Sequence, residues 1–217
     1  MAITLVAKTG YPTLEALLAA VRACRVCEGH LPLGPRPVLR AGKTARILIV
    51  GQAPGARVHA TGIAWDDPSG ERLRAWMGVS GDVFYDESRI AIIPMGYCYP
   101  GRGKGGDLPP RRECARLWLG LLLEKMPHIE LTLLIGQYAQ RYFLGGRRGV
   151  SLTQTTRQWE AHAPRYFPLP HPSPRNNPWL QRNPWFERQL LPALRARVGA
   201  VLPRGRIAES AMNCPGG

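Results

Sequence analysis

The chain of 217 residues is 45% apolar, enough to bury one good core, and its length favours a single α/β domain over two. Lys and Arg number 29 against 15 Asp and Glu, and this net charge of +14 makes a surface that attracts polyanions and binds DNA or RNA in a salt-dependent way. No apolar run approaches the ~20 residues that span a bilayer and no secretory leader pattern opens the chain, which points to a soluble, cytoplasmic protein, and a monomer is expected.

The first helix is predicted over 13–23, with Thr13 as cap, Glu15 in the first turn, and Leu14, Leu17, Leu18 and Val21 on one face. It delivers Cys24 and Cys27 at its end. Four apolar runs then read as strands: Ile47–Val50, 90–93, Leu131–Ile135 and Tyr166–Leu169. Helical patterns at Pro68–Met77, 111–126 and Gln137–Leu144 separate them, the alternation expected of βαβ crossovers. A last helix is expected over 183–198, opened by Asn183 as cap and Pro184 at its first position and kinked at Pro192. The expectation is a three-layer α/β/α domain over 1–203 around a central four-stranded parallel sheet, followed by a disordered tail, 204–217, that contains Cys214.

Two short motifs follow predicted strands and therefore belong on loops at the carboxyl edge of that sheet, where open α/β folds place their ligands. In Gly51-Gln52-Ala53-Pro54-Gly55, a glycine at each end lets the backbone approach a ligand with its amides exposed. In His171-Pro172-Ser173-Pro174-Arg175-Asn176, an imidazole sits on a proline-fixed loop. Five cysteines in a chain of this size argue against a disulfide framework and leave metal ligation or burial as free thiols. Cys24 and Cys27 form a C-x2-C pair, and Cys98 and Cys114 bracket a loop rich in proline, glycine and arginine.

In order and spacing these motifs resemble those of the uracil-DNA glycosylase superfamily, and the cysteines resemble the ligand set of its iron–sulfur branch; the resemblance runs from about Cys24 to Val198. It implies a [4Fe–4S] cluster on Cys24, Cys27, Cys98 and Cys114, with zinc as the alternative metal. It implies that residues 51–55 line a base pocket, that Trp65 stacks on an extruded base, and that His171 donates to a base oxygen as charge develops there. Asp67, with Asp66 beside it, falls where one branch of the family places a catalytic carboxylate. Asp67 before Pro68 is equally a good helix cap, so both roles stand. Arg175 is placed to fill the gap left by the base or to hold a phosphate, and Ser173, Arg147, Arg148 and Arg157 to hold phosphates.

Two positions depart from the family. Ala53 stands where many members carry a polar residue, and Pro94 where an Asn usually reads the base edge. The implied activity is that of a monofunctional glycosylase acting on double- or single-stranded DNA, with uracil as the leading base and hypoxanthine as an alternative. The two departures raise a second possibility, a DNA-lesion binding module without catalysis. A nucleotide hydrolase is disfavoured, since no G-x-x-x-x-G-K-[ST] loop occurs.

Overall fold

The computed structural model describes residues 10–145 and 150–202. Arg147, Arg148, Cys214 and the 204–217 tail lie outside the described residues. Strand β1 (Ile47–Val50) is buried along its whole length. It is followed by β2 (Ile90–Ile92), a short antiparallel pair β3 (Arg102–Gly103) and β4 (Gly106–Asp107), β5 (Leu131–Ile135) and β6 (Tyr166–Leu169). The main sheet runs β2-β1-β5-β6 with every pair parallel. This is the four-stranded sheet that the sequence predicts.

Burial of both faces explains why β1 reads as an unbroken apolar run. Ile47 and Ile49 enter one core with Trp76, Leu133 and Phe167. Leu48 and Val50 point the other way, into a second core with Leu17, Leu122 and Leu134. Each core is closed by helices, which makes the three α/β/α layers. Helix Leu14–Arg22, capped by the Thr13 hydroxyl accepting from the Ala16 amide at 3.2 Å, covers the second core. Helix Pro68–Met77 and the closing helical stretch cover the first, where Trp76 meets Phe186 edge-on at 4.8 Å. Such an aromatic pair adds about 1 kcal/mol beyond the area it buries.

Two predicted helices are remodelled. The 111–126 segment is helical but passes through a π-helical turn, Ala115–Leu119, immediately after Cys114. The closing segment is not one helix from Asn183: a separate helix, Asn177–Arg182, precedes it. Asn183 then joins two stretches, its amide donating to the Trp179 carbonyl and accepting from the Trp185 indole. A π-helical turn, Phe186–Leu190, leads into helix Leu191–Val201. Pro192 has no amide to donate, and the widened turn ahead of it accommodates the lost bond.

Candidate active site

A cavity of about 620 Å³ opens at the carboxyl edge of the sheet. The 51–55 loop after β1, Pro94 after β2, and the loop of His171, Ser173 and Arg175 after β6 all line it, joined by Trp65 and Asp67. The carbonyls of Gly51 and Gln52 accept from the amides of Met95 and Gly96, extending the β1–β2 pairing so that Pro94 lies beside the 51–55 loop.

Trp65 is held by glycines on two sides. Its backbone is left-handed, φ 58, a conformation that costs a bulky residue free energy and persists only where the surroundings impose it. A Cβ on Gly51 would stand 3.0 Å from the indole, and one on Gly70 only 1.8 Å from the Trp65 carbonyl oxygen. The Tyr85 hydroxyl donates to the neighbouring Ala64 carbonyl at 3.0 Å. The indole therefore faces the site in a fixed pose, its centroid 5.5 Å from that of His171.

The loop also fixes His171 and its tautomer. Nδ1 accepts from the Ser173 amide at 3.2 Å, so the neutral ring carries its proton on Nε2. The His171 carbonyl accepts from the Asn176 side-chain amide at 2.7 Å. Burial pushes the imidazole below its ordinary value, and the carboxylates of Asp67 and Asp107 only partly oppose that shift. A neutral imidazole with one available donor is the outcome. Arg72, which sequence reasoning did not single out, reaches from helix Pro68–Met77 to the Ser173 carbonyl at 3.3 Å and the Asn177 side chain at 2.8 Å. It ties the histidine loop to the helix that Asp67 caps.

The adjacent aspartates separate. Asp67 lines the cavity, and its Oδ1 accepts from the Gly70 amide at 2.8 Å as the helix N-cap. Asp66 does not line the cavity; its carboxylate lies 3.7 Å from Arg57. Arg157 is likewise absent from the cavity wall, its guanidinium lying over the Trp185 ring at 5.4 Å. Arg175 lines the cavity and extends toward Gly106 in the β3–β4 hairpin. Ser173 uses its hydroxyl to accept from the Arg175 amide. The hairpin brings Arg102 and Asp107 to the cavity, neither of which the sequence reading named. Gln52 joins this hairpin to the 51–55 loop, donating to the Leu108 carbonyl at 3.2 Å.

The four cysteines converge on a second, smaller pocket, walled by Leu31, Tyr97 and Trp118. All four are free thiols. Burial pushes Cys98 up to about 11 and Cys114 up to about 12, and raises Cys27 as well. The Tyr97 amide donates to the Cys114 sulfur at 3.4 Å. Two donors beside the thiols, the Tyr97 hydroxyl and the Trp118 indole N–H, are buried with no partner among the described residues, an arrangement that ordinarily costs about 1–3 kcal/mol per group. Among the described residues, no three His, Cys, Asp or Glu side chains form a cage for a single ion.

The fold and cavity define an open α/β protein with its ligand site at the strand ends. The family model of the uracil DNA glycosylase superfamily matches residues 40–195, and the chain belongs to that superfamily. Its members are DNA glycosylases, hydrolases acting on DNA. The match holds β1 through β6, Cys98, Cys114 and all of the cavity lining but Val38; Cys24 and Cys27 lie ahead of it. Among the described residues no helix is long and apolar enough to cross a membrane.

Proposed function

We propose that the protein is a monofunctional DNA glycosylase that extrudes a deaminated base, uracil foremost, and hydrolyses its N-glycosidic bond to leave an abasic site. The observation that carries this reading is the tautomer of His171. Breaking the bond leaves negative charge on the departing base, and the Nε2–H that this tautomer leaves as donor stabilises that charge. Trp65 supplies the face that replaces the stacking an extruded base loses. The amides of the 51–55 loop orient the base, while Asp67 offsets positive charge on the sugar with the carboxylate oxygen that capping leaves available. Arg175 fills the vacated stack, and the net charge of +14 draws in the phosphate backbone.

The four thiolates would hold a [4Fe–4S] cluster, which when bound supplies a cross-link between the segment after the first helix and both ends of the 98–114 loop. Zinc on the same four thiolates is the alternative, and elemental analysis separates the two. The unpartnered hydroxyl of Tyr97 and indole of Trp118 are donors of the kind that cluster sulfurs accept from.

A second reading, a lesion binder without catalysis, is favoured by Ala53 and Pro94, two cavity residues with no side-chain polar group. Incubation with end-labelled duplex and single-stranded oligonucleotides carrying uracil or hypoxanthine separates the two. Alkali-labile breaks at the lesion support the glycosylase; retention of lesion DNA without breaks supports the binder.

A further inference from the structure

The hydrolysis proposed above requires a group that holds and deprotonates water, and the 51–55 loop offers none, because Ala53 is apolar. Asp67 has one oxygen committed to the Gly70 amide as a helix cap. Asp107 is the other carboxylate on the cavity wall. It ends β4, and its Oδ2 lies 3.6 Å from where a Cβ would stand on Gly55, directly over the end of the 51–55 loop. The backbone around it is fixed. Asp107 pairs with Arg102 across the hairpin, the Leu108 amide donates to the Gly101 carbonyl at 2.9 Å, and the Leu108 carbonyl accepts from Gln52. Among the described residues no hydrogen bond or ion pair occupies the Asp107 carboxylate, and His171 lies within its electrostatic reach.

We propose that Asp107 is the general base of this site, holding the attacking water across the cavity from His171. This rests on the glycosylase reading. In the step, the C1′–N bond breaks and its electron pair leaves with the base, whose oxygen accepts from His171 Nε2–H. The water oxygen bonds to C1′ and its proton passes to Asp107, then to the departing base nitrogen. The products are an abasic sugar hydroxyl and a neutral base.

The test is Asp107→Asn in the full-length protein, compared with the unsubstituted chain under single-turnover conditions on duplexes carrying uracil, hypoxanthine or xanthine, with DNA affinity and thermal midpoint measured alongside. Asp107 is exposed on a hairpin, so the folded state should survive the change. Loss of a positioned base typically slows the chemical step 100-fold or more, so a fall of about 100-fold, with affinity and midpoint unchanged, is expected. A fall of less than about tenfold overturns the proposal and leaves the glycosylase reading standing. So does a shift in which base is removed without a loss of rate on the preferred one, which would make Asp107 a reader of the base edge. A rate loss matched by weaker binding or a lower midpoint would make it a structural residue. If the unsubstituted chain cleaves none of the three substrates, the glycosylase reading fails and this assignment with it.

Discussion

The base cavity and the cysteine pocket share the 98–114 segment, yet they treat their polar atoms in opposite ways. In the cavity the protein satisfies part of each polar group and leaves the rest available: His171 Nδ1 is bonded while its Nε2–H is left as a donor, and one Asp67 oxygen is bonded while the carboxylate still lines the cavity. In the cysteine pocket the Tyr97 hydroxyl and the Trp118 indole are buried with no partner among the described residues. The difference separates a region that is complete as folded protein from one whose unpartnered donors fit the proposed metal group. Substitutions in the first should reduce turnover and spare the fold; those in the second should damage the fold.

The largest effect should follow from Cys98→Ser. Protein purified anaerobically should be brown with broad absorbance near about 400 nm, and the variant should lose both that absorbance and much of its thermal stability, because metal binding at such a site is coupled to folding. A colourless, metal-free preparation of the unsubstituted chain would erase the contrast, and zinc by elemental analysis would change the metal group. Next comes His171→Ala, expected to cost about 100- to 1000-fold in single-turnover rate with lesion binding nearly intact. Full activity in that variant would sink the proposed chemistry.

Gly70→Ala should cost about 2 kcal/mol in a denaturant melt, since the added methyl meets the Trp65 carbonyl and backbone must shift. It tests whether the pose of Trp65 is part of the fold. Asp67→Ala should cost about 1 kcal/mol through loss of the cap, and Asp67→Asn much less. A large rate loss in Asp67→Asn at unchanged stability would show that the carboxylate does more than cap.

The smallest effect concerns pH. The folded-state value of His171 is depressed, so protons bind the unfolded chain more readily, and stability should decline as pH falls from the ordinary histidine range, about 6.5, through the lower folded value. Activity should hold across that upper range and fall as the ring protonates below it. His171→Gln should flatten the stability slope.

The strands were legible because burial on two faces leaves a continuous apolar run, as in Ile47–Val50, and the loops after them carried glycine, proline and histidine in a recognisable order. The β3–β4 hairpin was not legible. Its strands are two residues each, too short for any alternation, and two of those four residues are glycine. Asp107 and Arg102 were hidden with it. Nor could spacing separate Asp66 from Asp67: neighbours in sequence, they part only because the helix start turns one toward the Gly70 amide and leaves the other beside Arg57. Nothing local to Arg157 reveals that Trp185 lies beneath its guanidinium. The left-handed backbone of Trp65 is likewise imposed by distant contacts.

The 98–114 segment begins and ends at buried sulfurs, and the Tyr97 amide bonds to the Cys114 sulfur, so the two ends are fastened side by side. A loop pinned in this way has already surrendered most of its conformational entropy during folding. In the proposed function its tip, carrying Arg102 and Asp107, is a ready-made rim for DNA. Little ordering is then left for the encounter itself, and more of the contact energy is retained as affinity.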